Sequence, residues 1–242
     1  MLVLAVPVYK RYDLLAKLVV SAEAGSVLPD RYLIIDNGGG FYERNVMRRR
    51  ALDHMLSRDV LTVVQPGKNL GVAPAWNLAL DACTANDTLI VSNDDVTVGR
   101  DGLAALLAAQ ENALVAVDDQ AGWALFVTRP AKLIERAGHF DENFVRAYYE
   151  DNDMSRRLAL AGVPHVHVSG DARHVSGGTS AKRVLSGPEC REARAALRNN
   201  QAYYVSKWGA LPLDGETFTV PFNGVPPAGW QLRPVTAPKD AG

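Results

Sequence analysis

Leu89-Ile90-Val91-Ser92 is an apolar run of strand length that stops abruptly at Asn93-Asp94-Asp95. A β-branched stretch, Val96-Thr97-Val98, follows. Continuous apolar runs of this kind mark strands buried on both faces, as in a parallel sheet. The same device recurs over Leu2–Val8, 32–35 and 60–64. Between these runs lie segments with helical spacing. Residues 13–24 carry Leu14, Leu15, Leu18 and Val19 on one face, and Gly25 closes the helix. Further strands are expected over 113–117 and 124–128, with Gly122 and Trp123 between them. A helix is expected over 102–110, and another begins at Pro130. Such alternation predicts an α/β chain built on a mostly parallel, Rossmann-like central sheet flanked by helices.

In sheets of this class, ligands gather beyond the carboxyl ends of the strands. Asn93, Asp94 and Asp95 stand at such an end. Adjacent carboxylates repel unless a cation joins them, and hard oxygen ligands suit Mg²⁺ or Mn²⁺, which in turn bind phosphates. Taken alone, the tripeptide reads first as a polar turn with Asp as a helix cap, and the rest of the chain reverses that reading. Asp36, after the second strand, leads into Gly38-Gly39-Gly40 and is either a turn former or an acceptor for a base or ribose. The loop Gly67-Lys68-Asn69-Leu70-Gly71, followed by Asn77 on a helix, lacks the spacing of a P-loop. It still offers backbone amides, a lysine and two asparagine amides beside a helix start, a setting that favours anions.

Length and composition narrow the class. The 242 residues make one large domain, or one domain with an appendage. Hydrophobic content of 48% and charged content of 22% are ordinary for a globular protein. A net charge of −1 provides no global field for nucleic acid or anionic membrane. Cys83 and Cys190, far apart, read as reduced thiols and not as a disulfide framework or zinc site. No run reaches membrane-spanning length, and the apolar start reads as a first strand instead of a signal peptide. A cytoplasmic enzyme is expected.

Farther on, Glu150, Asp151 and Asp153 crowd the first turn of a helix whose other face carries Met154, Leu158 and Ala161. The helix dipole favours carboxylates there, and one facing a cleft could serve as a general base. His165 and His167 alternate on a short strand and read as structural or exposed. His174 precedes a glycine-rich loop with Gly177, Gly178 and Ser180, where a neutral imidazole could complete a metal site begun by the aspartates. The cluster Arg48-Arg49-Arg50 lies on an expected helix over 43–58 and reads as a solvated face. A long helix over 188–208 carries Arg191, Arg194, Arg198 and Lys207, ends in Tyr203, Tyr204 and Trp208, and lies over the site or against a partner. Residues 209–242, rich in proline and glycine, read as an arm or partly disordered tail.

The order of these motifs resembles the family 2 glycosyltransferases of GT-A fold, and within them the rhamnosyl- and galactofuranosyl-transferase-like branch. The resemblance covers residues 1–208, the expected catalytic domain, with 209–242 as the appendage. Pro7-Val8-Tyr9 is similar to the family's opening strand. Asp36 matches its base-binding acid. Asn69, Gly71, Ala75 and Asn77 match its Asn-x-Gly-x-x-x-Ala-x-Asn segment. Asn93-Asp94-Asp95 stands at its Asp-x-Asp motif, with Asn replacing the first acid. Phe140-Asp141-Glu142 followed by Glu150-Asp151-x-Asp153 and Arg157 resembles its Glu-Asp motif, and His174 with Gly177, Gly178 and Ser180 its late metal ligand and loop.

The resemblance implies inverting transfer from a nucleoside diphosphate sugar, a UDP, TDP or GDP sugar. It implies Asp95 and His174 as ligands of Mn²⁺ or Mg²⁺. Asp151 is then the base, with Glu150 orienting it or raising its pKa. Pro7, Tyr9, Asp36, Lys68, Asn69, Gly71, Asn77, Asn93 and Asp94 are the expected donor-binding residues. Trp123 is expected in the acceptor or sugar subsite, or in the core. The acceptor is a glycan or lipid-linked glycan, with a protein or modified nucleic acid base also open. A homodimer through the C-terminal region and a peripheral place at the inner membrane face fit the same reading. Two other classes remain: a nucleotidyltransferase and a non-catalytic sugar-nucleotide-binding module.

Overall fold

The computed structural model describes residues 1–42, 58–175 and 185–228. The expected helix over 43–58 with its arginine cluster falls almost wholly outside them, as do Gly177, Gly178 and Ser180. Seven strands form one sheet in the order β3-β2-β1-β4-β7-β6-β8. They are β1 (Leu2–Val8), β2 (Arg31–Asp36), β3 (Leu61–Val64), β4 (Thr88–Ser92), β6 (Val115–Asp118), β7 (Gly122–Thr128) and β8 (His165–Val168). The pairs β1·β2, β1·β4, β2·β3 and β6·β8 are parallel, whereas β7 runs antiparallel to both its neighbours. Two short strands, β5 (Val96–Val98) and β9 (Ala172–His174), pair antiparallel in a separate ribbon.

The central strands are buried on both faces, as their apolar runs require. Leu4, Val6, Tyr32, Ile34 and Ile90 face one layer. Their alternates Val3, Ala5, Leu33, Ile35, Leu89 and Val91 face the other, following the two-residue period of a strand. The first layer is covered by α1 (Tyr12–Glu23) and α3 (Gly102–Gln110) through Leu15, Leu18, Val19, Leu103 and Leu106. The second is covered by α2 (Val72–Asp81), α4 (Pro130–Ala137) and α5 (Glu150–Leu160) through Trp76, Leu80, Leu133, Met154 and Leu158. Burial of each large apolar side chain stabilises the fold by roughly 1.5–3 kcal/mol, so neither strand face tolerates a polar substitution.

The reversed strand has a local cause. Asp118 Oδ1 accepts from the backbone N–H of Gln120 at 2.9 Å and of Ala121 at 3.1 Å. Gly122 follows at φ 57°, which glycine adopts without strain. The resulting tight turn is too short for a parallel crossover, so β6 and β7 form a hairpin. Gly122 and Trp123 therefore belong to β7 and do not separate two strands.

The long helix α6 (Gly187–Trp208) begins with a capping box, in which Ser186 and Glu189 satisfy each other's backbone N–H groups. Its last turn packs Tyr204 and Trp208 against Phe144. The first part of the expected C-terminal arm folds back on this helix. Arg156 donates to the carbonyls of Glu216 at 3.1 Å and Phe218 at 2.9 Å. Phe222 is buried beside Tyr203. No helix among the described residues is long and apolar enough to cross a membrane.

Candidate active site

Because β1 and β4 are parallel neighbours, Pro7–Tyr9 and Asn93–Asp95 emerge from the same edge of the sheet. The β1–β4 pairing ends at Ala5 and Val91, so the missing N–H of Pro7 costs that ladder nothing. The Tyr9 N–H donates to Asp94 Oδ2 at 3.4 Å. Burial, reinforced by the charge of Asp95, pushes the Asp94 carboxyl up to about 8. Immediately beyond, β5 pairs with β9 in a register that sets Val96 opposite His174. This ribbon brings His174 Nε2 to 3.1 Å from Asp95 Oδ1. The hydrogen bond to Asp95 raises the His174 pKa, against an opposing effect of partial burial.

Among the described residues, no group of three or more His, Cys, Asp or Glu side chains gathers into a metal cage. A carboxylate and an imidazole still suit Mn²⁺ or Mg²⁺ that completes its shell with water and substrate phosphate, the usual arrangement for such ions. Asn93 stands at the mouth of the same turn, half-buried.

On the other side of β1, Asp36 holds its own loop together. Its oxygens accept from Tyr12 Oη at 2.6 Å, Gln65 Nε2 at 2.8 Å, and the N–H groups of Phe41 at 2.9 Å and Gly38 at 3.2 Å. Burial would raise its pKa, but these donors outweigh it and hold the carboxyl below the usual range. A substitution at Asp36 therefore strikes the loop as well as any ligand. Asn69 Oδ1 accepts from the Gly71 N–H at 3.0 Å. Gly71 lies at φ 91° with the Arg146 backbone packed where a Cβ would stand. Asn77 turns inward. Its amide bridges the Phe140 backbone and Glu142 at 2.8–2.9 Å, so it positions the 140s segment from within the core. Lys68 is exposed.

A second acid pair opens α5. Arg146, Tyr148 and Tyr149 all adopt positive φ (65°, 81° and 75°), an unfavourable conformation for such side chains. Asn200 of α6 overcomes that cost. It accepts from the Val145 N–H and donates to the carbonyls of Val145, Ala147 and Tyr148, all at 3.0 Å. Glu150, 5% exposed, has no hydrogen-bond partner for Oε2. Burial and the adjacent Asp151 push it well above the ordinary carboxylate range. Asp151 is also raised, by burial. Its side chain lines a cleft of about 410 Å³ with Tyr148, Tyr149, Leu197, Pro212 and Asp214. Asp153, the third acid, is spoken for. It meets Lys207 at 2.6 Å, Arg157 at 2.8 Å and the Trp208 indole N–H at 2.9 Å. Burial alone would raise Asp153, yet these cations and donors leave it below the usual range. Lys207 also meets Asp141 at 2.7 Å, and both are fully buried.

Residues 3–161 match the family model described as glycosyl transferase family 2. The chain belongs to that family.

Solved structures place the family 2 chain in the GT-A fold. The mannosyltransferase PcManGT from Pyrobaculum calidifontis, solved with GDP-Man and Mn²⁺, superposes with a TM-score of 0.57 at 17% identity, over 87% of this chain and 76% of that one. S. aureus TarS 1–349 gives 0.56 at 13% identity, over 73% of this chain and 60% of that one. The same TarS fragment in complex with UDP gives 0.55 at 12%, over 85% and 72%. The match to TarS 1–349 thus spans less than two thirds of that structure. No curated protein matches the chain in sequence.

The elements β8, β9 and α6 lie beyond the residues matched to family 2. Trp123 packs among Phe126, Phe140 and His165 and donates to Ser155 Oγ at 2.9 Å. Sequence reasoning did not single out Asn200, placed Asp141 within the Phe140-Asp141-Glu142 stretch ahead of the Glu-Asp motif, and read Lys207 as one of several helix cations. The available signal for Lys207 was its place between Tyr203, Tyr204 and Trp208 at the apolar end of α6.

Proposed function

We propose that this family 2 protein is an inverting, metal-dependent glycosyltransferase that moves a sugar from a nucleoside diphosphate sugar to an acceptor hydroxyl. The observation that carries the reading is the approach of His174 to Asp95 across the β5–β9 ribbon. A carboxyl and an imidazole from distant segments meet beyond the carboxyl ends of the parallel strands, beside Pro7–Tyr9. Mn²⁺ or Mg²⁺ held by Asp95 and His174 would supply Lewis-acid stabilisation of charge on a departing diphosphate.

The chain's own residues supply the rest. Pro7, Tyr9, Asn93 and Asp94 line the donor rim, and the loops ordered by Asp36 and Asn69 flank it. Asp151 takes the proton as the acceptor oxygen attacks the anomeric carbon. The bond to the diphosphate breaks on the opposite face, which inverts the centre. An aliphatic hydroxyl is a weak nucleophile near neutral pH, so a base at this step is needed. The raised pKa of Asp151 makes it a stronger base than an exposed aspartate. Glu150, buried beside it, feels the charge of Asp151 and is itself raised well above the ordinary carboxylate range. The cleft walls support a sugar acceptor, free or lipid-linked: tyrosine faces pack on C–H surfaces, and Asp214 can accept from hydroxyls.

The test is calorimetry with UDP and GDP in Mn²⁺ and in EDTA. Binding should be tighter with Mn²⁺. Asp95→Asn should reduce Mn²⁺-dependent affinity by about 10–100-fold, the scale of a hydrogen-bonded charge. Equal affinity in Mn²⁺ and EDTA removes the metal from the proposal.

A further inference from the structure

We propose that Lys10 is a further ligand for the donor diphosphate, and that Glu189 of α6 occupies it in the free protein. The inference rests on the donor reading above. Lys10 directly follows Tyr9, whose N–H touches Asp94, so it stands on the rim that carries the acids. Its backbone is left-handed at φ 64°, an unfavourable state for lysine of the kind that clusters at binding sites. The side chain passes over the Tyr9 ring, 5.0 Å from its centroid, and ends 2.5 Å from Glu189 Oε1. The Tyr9 hydroxyl donates to the same oxygen.

The two oxygens of Glu189 have separate tasks. Oε2 accepts from the Ser186 N–H at 2.8 Å and completes the helix cap. Oε1 is not needed for the cap. It presents an anionic oxygen to an ammonium and a phenol, the contacts a phosphate oxygen would take. The pairing raises the Lys10 pKa, so Lys10 remains a cation. Its side chain is 34% exposed, which leaves it accessible to an incoming anion. A diphosphate brings more negative charge than a carboxylate and replaces Glu189 on Lys10. Glu189 is therefore a built-in competitor that lowers affinity for nucleotide.

A double-mutant cycle tests this directly, with UDP and GDP as probes in Mn²⁺. Glu189→Gln keeps the capping box, which accepts Gln at this position. It should bind nucleotide roughly 3–10-fold more tightly than wild type. Lys10→Met should weaken binding about 10-fold, the scale of one charged hydrogen bond. Lys10→Arg, which keeps the charge, should stay within a few-fold of wild type. In the Lys10→Met background, Glu189→Gln should change nothing. The inference is overturned if Glu189→Gln binds no more tightly than wild type. It is also overturned if the gain persists without Lys10, because Glu189 would then act through general charge. Wild-type protein that binds neither nucleotide removes the donor reading as well. Wild type that binds while the variants show no coupling removes only the role of Lys10 and Glu189.

Discussion

Two pairs of adjacent acids, Asp94-Asp95 and Glu150-Asp151, have almost the same local chemistry and opposite surroundings. Each contains one deeply buried carboxyl whose pKa is raised, Asp94 to about 8 and Glu150 well above its ordinary range. Asp95 has an imidazole beside it, delivered by β9. Among the described residues, the lining of the Asp151 cleft includes no comparable cation, and its other charged member is Asp214. Nearby cations exist, but Lys207 and Arg157 are committed to Asp153. On the proposed reading, the first pair shares a positive ion and the second holds and releases a proton. An acid's role here is decided by which cation the fold brings to it.

The sharpest way to break this contrast is Asp151→Asn. The amide keeps the volume and suits a helix start while removing the base. Transfer should fall by roughly 10²–10⁴-fold, the scale of general-base catalysis. Nucleotide affinity should stay near wild type, whereas Asp95→Asn loses affinity. Full transfer activity in Asp151→Asn would move the base to Glu150, since Asp153 is locked in its ion network. Parallel turnover and calorimetry on the two variants make the comparison.

Next in size is Lys207→Met, which tests whether the base region depends on its buried ions. It leaves Asp141 and Asp153 buried without their shared cation. Loss of one partner from such a network costs about 3–5 kcal/mol. Urea unfolding should show that loss. An unchanged midpoint would mean that α6 is held by its aromatic contacts alone.

The smallest effect is on pH dependence. Asp151 must be unprotonated to accept a proton, and burial raises its pKa. Transfer should therefore fall as pH drops through that raised value, with the acid limb above the range of an exposed aspartate near 4. Glu150→Gln removes the neighbouring carboxyl but keeps the burial that raises Asp151, so the limb should stay in place. A limb that moves would assign the titration to Glu150. The raised carboxyls also oppose folding at neutral pH, where each must either ionise in a buried place or hold a proton that the unfolded chain has lost, and that cost is relieved on acidification. Asp153, with its lowered pKa, has the opposite sign: its stabilisation is present above the unfolded aspartate pKa and is lost as pH falls through the folded value.

The layered α/β architecture was legible in the chain because it rests on local signals. Two-residue alternation sends Val3 and Leu4 to opposite faces, and apolar runs mark strands covered on both sides. Strand ends place the acids, and the first turn of α5 gathers three more. The near-coincidence of expected and observed bounds for β1 and α3 follows from the same periodicity. Tertiary structure alone decided which of those groups meet. The strand β9 is three residues long and exists through its bonds to β5, so His174 read as the start of a loop. Asn77 and Lys207 are polar residues whose burial depends on partners more than sixty residues away. Glu189 completes the cap of α6, and only the fold brings Lys10 to its second oxygen. Periodicity is a property of neighbours along the chain. Desolvation and ion pairing depend on neighbours in space, and only the packed fold supplies those.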